Sequence, residues 1–228
     1  MYATLPISDG EYMANGPCKN ITQLLDANTT DLELTLRFEP GLSLDRYVDS
    51  DMKSTLSPSD CATIWAQTSS ALAHLHSTCA LIHDDVKPEN IIWDPLSRNS
   101  VIIDLGAALN RKLLPDGFFN PSGTPPYAPP EYLRRRKGVE GDVWALGVTM
   151  LFAFAHLPLP DGKWILPEVF EKEEVRREMG EWLDEVEGWR RMLAGEKEGL
   201  LSEMLEADPV KRIGSKELAR RLKPEGQF

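Results

Sequence analysis

His83-Asp84-Asp85-Val86-Lys87-Pro88-Glu89-Asn90 sets two adjacent aspartates, a lysine and an asparagine within eight positions. Fourteen residues past Asn90 comes Asp104-Leu105-Gly106. The stretch follows a helical pattern. Ser57-Pro58-Ser59-Asp60 opens it, with proline near the first turn, and Ile64, Trp65, Thr68, Ala71, Leu72 and Leu75 continue at helical spacing to about Thr78. Short apolar runs at 80–82 and 91–93 flank the polar loop, and 101–103 is another that ends at Asp104. Two short strands around a polar loop make a hairpin the natural expectation. Two acids, an amide and a lysine suit a metal site, a glycosidase pair or a merely polar loop. Carboxylate and amide oxygens are hard ligands, fit for Mg²⁺ and poor for zinc. A glycosidase pair needs no neighbouring lysine or asparagine.

The wider chain narrows the choice. It has 228 residues, enough for one large domain, with 42% hydrophobic and 27% charged residues, the ordinary globular range. The net charge of −11 has the wrong sign for a sequence-independent nucleic-acid binder or an anionic membrane surface. Cys18, Cys61 and Cys79 make an odd, sparse set with no Cys-x-x-Cys pair, so neither a disulfide framework nor a zinc site is expected. The N-terminus does not read as a signal peptide. The longest apolar run, 143–159, is interrupted by Gly147, His156 and Pro158 and reads as a buried helix rather than a span. The expected compartment is therefore the cytosol or nucleus. Residues 32–38 alternate with period two and predict a strand, ended by Pro40-Gly41. From 143 on the pattern is helical, over 143–156, 167–193, 198–206 and 215–222. Residues 168–208 hold 14 acidic and 6 basic side chains, a local −8 that predicts solvated helix faces. The same reading makes Arg134-Arg135-Arg136-Lys137 a solvated turn, with a docking patch for an acidic substrate as the alternative.

The loop resembles the catalytic loop of the protein kinases, H-R-D-L-K-x-x-N, and Asp104-Leu105-Gly106 resembles D-F-G. Further likenesses follow in order. Residues 123–131, GTPPYAPPE, resemble the end of a kinase activation segment. Asp142-Val143-Trp144-Ala145-Leu146-Gly147 resembles the start of the large buried helix, and Asp208-Pro209-Val210-Lys211-Arg212 a motif near the domain's end. Residues 20–25 resemble the stretch after the regulatory helix, and 32–41 the strand and hinge that contact adenine. The resemblance covers about residues 20–222.

It implies an α+β, protein-kinase-like fold and ATP- and Mg²⁺-dependent phosphorylation of serine or threonine in protein substrates. Asp85 matches the acceptor of the substrate hydroxyl proton, and Lys87 the lysine that steadies the transferred phosphoryl group in the Ser/Thr-directed branch. Asn90 and Asp104 match the two magnesium ligands. Leu36 would be the gatekeeper, backbone groups of Arg37 and Glu39 would face the purine, and Ile92 would lie under it. Residues 43–48 would open a helix beyond the hinge. His83 and Leu105 would join an apolar column bracing the lobes, and Thr124 would bond near Asp85 and Lys87. Asp142 would hold the catalytic loop from below, and Glu131 and Arg212 would form a buried ion pair.

Leu105 for Phe and Pro129 for Ala are mild departures, and the larger ones lie at two places. Residues 1–31 contain neither the Gly-rich loop nor the V-A-I-K lysine: Gly10 and Gly16 stand without the motif, Lys19 is the one lysine, and Glu11 is the nearest, mis-spaced candidate for the helix glutamate. The expected architecture is a complete, mainly helical C-lobe (39–222) with a truncated strand-containing N-lobe (1–38) and a tail at 223–228. Weak Mg-ATP binding by this chain follows, and a non-catalytic binding or scaffold module is the alternative reading. Asp84 stands where the family has the arginine that meets an activation-segment phosphate. An acid there repels phosphate, so phosphorylation is not expected to switch the chain on by that route.

Overall fold

Ser57 Oγ accepts a hydrogen bond from the Asp60 backbone N–H at 3.1 Å and donates to the Asp60 carboxylate at 2.8 Å. This reciprocal cap, with Pro58 in the first turn, starts helix α1 (Pro58–Ser77) where the sequence predicts. The computed structural model describes residues 18–195 and 199–223. The expectations at Gly10, Glu11 and Gly16 fall outside these residues. Four more helices follow: α2 (Val139–Ala153), α3 (Glu173–Leu193), α4 (Gly199–Met204) and α5 (Ser215–Arg221). Among the described residues, seven short strands precede α2: β1 (Leu24–Asn28), β2 (Glu33–Leu36), β3 (Leu42–Ser43), β4 (Leu81–Ile82), β5 (Ile91–Asp94), β6 (Asn99–Ile102) and β7 (Leu109–Asn110). The mixture of small antiparallel sheets and dominant helix is the α+β class expected. No helix among the described residues is long and apolar enough to cross a membrane.

Helix α2 is the centre of the core. Residues 142–153 are buried without exception, because the helix is apolar on every side. It begins four residues earlier than periodicity suggests and ends before Ala155, whose φ of 58° breaks the helical path. Helix α1 contributes Ile64, Trp65, Leu72 and Leu75 to the same core, and α4 contributes Leu201 and Met204. The acidic helix α3 buries only Val175, Met179, Val186 and Leu193. Its charged residues line the other faces, where Glu187 pairs with Arg191 at 2.7 Å. The expected 167–193 helix divides into a 3₁₀ turn at Leu166–Phe170 and α3.

The strands sort differently from their order. The hairpin forms between β5 and β6, with Ile91 opposite Ile102, and β3 joins it through Leu42 opposite Trp93. Strand β4 does not pair with its near neighbour β5; it pairs with β7, Leu81 opposite Asn110. The loop between β4 and β5 is thus held at both ends by different sheets. Gly41, at φ 106°, enters β3 so closely that an added Cβ would lie 2.1 Å from the Trp93 carbonyl oxygen. Asn20 is stitched to the same region: its Nδ2 donates to the Ser100 carbonyl at 2.7 Å.

The predicted 32–38 strand is real but short, β2, and pairs with β1. Every residue of both strands is exposed, because nothing among the described residues covers either face. The helix expected at 43–48 is a single 3₁₀ turn, Leu44–Arg46.

Candidate active site

The loop 83–90 is fixed from beneath before it presents any side chain. Asp142, fully buried at the start of α2, accepts the His83 backbone N–H on Oδ2 at 2.7 Å and that of Asp84 on Oδ1 at 2.9 Å. His76, from the last turn of α1, donates to the same Oδ2 at 2.8 Å, and its other ring nitrogen lies 2.8 Å from Ser215 Oγ. Burial works to raise the Asp142 carboxyl, but the His76 hydrogen bond and the His83 N–H more than offset it and hold it below the usual range. His83 is itself wholly buried. Its Nε2 faces the Ile103 carbonyl at 3.0 Å and its Nδ1 the Asp85 N–H at 3.3 Å, so the neutral tautomer with hydrogen on Nε2 satisfies both. It is a packed strut. Leu105 is half-buried against the same core.

Above this base the polar side chains converge on Asp85. Thr124 Oγ1 donates to its Oδ1 at 2.6 Å. Lys87 Nζ lies 2.8 Å from its Oδ2 and donates to Thr124 Oγ1 at 2.8 Å. Asn90 Nδ2 donates to the Asp85 carbonyl at 2.8 Å and to Oδ2 at 3.2 Å. Four residues, from the loop and from the segment that follows Gly123, therefore form one contact set. The Ile103 N–H donates to the Asn90 carbonyl at 2.9 Å, which brings Asp104 beside it. Asp104 is exposed, in a left-handed conformation with φ 61°, and its Oδ1 accepts the Gly106 N–H at 3.1 Å.

The remaining predicted residues lie apart from this set. Glu131 and Arg212 pair through two parallel bonds of 2.7 and 2.8 Å, both side chains buried. Arg37 donates its backbone N–H to the Gln23 carbonyl at 2.8 Å and its Nε to Glu39 at 2.8 Å. What Arg37 can offer a purine is thus its carbonyl. Leu36 is 48% exposed at the end of β2, and Ile92 is half-buried in β5 opposite Val101.

Four partners escaped the sequence reading. His76 and Ser215 carry no local signal, since His76 meets Asp142 on one side and Ser215 on the other only in the folded chain. Lys137 is the sharper case. The cluster 134–137 reads as a solvated turn, and Arg134, Arg135 and Arg136 are exposed, but Lys137 is not. Its side chain is 8% exposed and its Nζ sits 2.6 Å from Asp84 Oδ2. The same amine donates to Ser122 Oγ at 2.7 Å and to the Ser122 carbonyl at 3.0 Å. One positional clue existed: an acid at 84 that must be buried beside the loop calls for a cation.

Comparison with known proteins agrees with this geometry. The family described as "Protein kinase domain" matches residues 7–222. The chain is 34% identical over 199 residues to the human "Hormonally up-regulated neu tumor-associated kinase", covering 85% of this chain and 26% of that protein. It is 32% identical over 189 residues to "Maternal embryonic leucine zipper kinase" of Xenopus tropicalis, covering 81% and 27%. A third relative, "Serine/threonine-protein kinase ppk34" of Schizosaccharomyces pombe, is 30% identical over 218 residues, covering 89% and 56%. The chain thus spans about a quarter of the length of the first two and just over half of the third. A match that runs almost end to end, on a fold that gathers Asp85, Lys87, Asn90 and Thr124 at one point, means that this chain belongs to the protein kinase domain family.

Proposed function

We propose that the chain transfers the γ-phosphoryl group of ATP to serine or threonine hydroxyls of protein substrates. The carrying observation is the Asp85 carboxylate, held at once by Thr124, Lys87 and Asn90. An ionised carboxylate offers about four acceptor sites, and three are occupied, so one is left for a substrate hydroxyl. The hydroxyl oxygen attacks the γ-phosphorus, the bond from that phosphorus to the β–γ bridging oxygen breaks, ADP leaves and the proton passes to Asp85. Lys87, between Asp85 and Thr124, is placed to neutralise charge on the moving phosphoryl group.

Asn90 and Asp104 suit a magnesium ion by donor type. The Asn90 amide nitrogen is tied to Asp85, which leaves its oxygen for the other side, and Asp104 keeps Oδ2 while Oδ1 serves Gly106. Two hard oxygens plus phosphates and water are the usual Mg²⁺ complement. When bound, Mg²⁺ supplies charge neutralisation at the phosphates. The carbonyl of Arg37 and the backbone of Glu39 would meet the purine edge, with Leu36 and Ile92 as its apolar flanks. We place the C-lobe at 39–222, with the described residues before it as the approach from the N-lobe to the hinge. Net charge and cysteine usage favour a cytosolic or nuclear setting, with protein rather than nucleic acid or membrane as partner.

The test is transfer of radiolabelled γ-phosphate to a serine- and threonine-containing protein by the chain and by Asp85→Asn. Loss of the general base lowers the rate by roughly 10²–10⁴. Equal incorporation by both proteins would remove Asp85 from the mechanism.

A further inference from the structure

Asp84 occupies a demanding position. Its backbone is left-handed, φ 67°, its N–H is tied to Asp142, and its side chain is 8% exposed. Left-handed geometry tolerates aspartate and asparagine better than most residues. The carboxylate points at the segment that leads into Thr124. There it accepts from Ser122 Oγ and from Lys137 Nζ, which lies 2.6 Å away. Lys137 has three N–H donors, and three acceptors meet them: Asp84 Oδ2, Ser122 Oγ and the Ser122 carbonyl. Its ammonium has no donor left for a phosphate, and the acid beside it would repel one. Lys137 also stands 6.0 Å from the Tyr132 ring, which walls the cluster on one side. Ser122 is two residues from Thr124, and Thr124 holds both Asp85 and Lys87.

We infer that Asp84, Lys137 and Ser122 form a built-in latch that positions the 122–127 segment, and through Thr124 the Asp85–Lys87 pair, without any phosphate. The three are positioning residues, since none touches the reacting atoms. The inference rests on the proposed phosphotransfer reading only for its consequence, because the latch itself is a matter of local geometry. Burial pushes the Asp84 carboxyl up and the Lys137 ammonium down, while their mutual attraction opposes both shifts. A buried pair of this kind is disrupted most when one partner alone is removed.

Hydrogen–deuterium exchange on the full chain tests this with Asp84→Asn, Lys137→Met, the double variant and Lys137→Arg, and with phosphatase-treated parent protein. Asn keeps the left-handed tolerance, and Met keeps the length of lysine. Losing a charged hydrogen bond should speed exchange of the segment's amides, those of Ser122, Gly123, Thr124 and Tyr127, roughly ten- to hundredfold in each single variant. The double variant should be no faster than the worse single one, because the two residues act as a unit. Lys137→Arg should stay near the parent, and phosphatase treatment should change nothing. Where turnover is measurable, kcat should fall in the single variants with KM for ATP unchanged. Unchanged exchange at 122–127 in both single variants would overturn the latch. So would acceleration spread evenly over α1 and α2, or opening of the segment by phosphatase alone. These readings do not depend on Asp85 chemistry, so the latch and the phosphotransfer reading can fail separately.

Discussion

Arg212→Ala should unfold this domain well below the parent's melting point. The guanidinium makes two parallel bonds to Glu131 at 2.7 and 2.8 Å, donates to the Glu140 carbonyl at 2.8 Å and to the Glu206 carbonyl at 2.8 Å, and lies 5.1 Å from the Trp144 ring. Its side chain is wholly buried and that of Glu131 is 4% exposed. Truncation therefore leaves a buried carboxylate without its counter-ion, takes a donor from the Glu206 and Glu140 carbonyls, and removes packing from α2. Breaking one side of a buried pair costs about 3–5 kcal/mol. At roughly 2–4 °C per kcal/mol for a chain of this size, the melting point should fall by about 6–20 °C. Circular dichroism melts of the parent, Arg212→Ala, Glu131→Gln and the double variant decide it. The double variant should lose much less than the sum of the two singles, because one partner's removal already breaks the pair. A melting point for Arg212→Ala within about 2 °C of the parent, or strictly additive losses, would refute the reasoning, since a solvated pair contributes only about 0–1 kcal/mol.

Asp142 sets the sign of one pH dependence. Its folded carboxyl is held below the unfolded value, so it contributes stability above about pH 4. That contribution is lost as pH falls through the folded value. The stability gap between the parent and Asp142→Asn, read from urea midpoints, should shrink below about pH 4, and a gap that widens there would contradict the assignment. Gly41→Ala places a Cβ against the Trp93 carbonyl in a conformation that L residues rarely adopt. It should cost roughly 2–4 kcal/mol of stability. Gly117→Ala, also at positive φ but with nothing within 4 Å of its added Cβ, should melt closer to the parent. Matching melts would show that the close approach to Trp93 is relieved at no cost.

The 83–90 loop and the helix before it were legible because their determinants are local. A serine cap at Ser57, a proline and helical spacing define α1 (Pro58–Ser77), and the run of residue types at 83–90 depends on neighbours in the chain. Apolarity on every side marks α2 as buried, whatever it packs against. The Glu131–Arg212 pair, 81 positions apart, was foreseen only through the likeness of both segments to family motifs. What only the folded chain decided is partnership over long separations. Lys137 looks like one more charge in a basic run, and it is buried because Asp84, 53 positions earlier, needs a counter-ion. His76 and Ser215, 139 positions apart, become partners only when α1 and α5 pack together, and the other nitrogen of the same ring then meets Asp142 of α2. Strand β4 passed over β5 for β7 because two residues of strand carry too little pattern to select a partner. Hydrophobic periodicity reports which side of an element faces inward. Which buried polar group meets which is settled by the requirement that each find a partner, and that requirement acts on the assembled core.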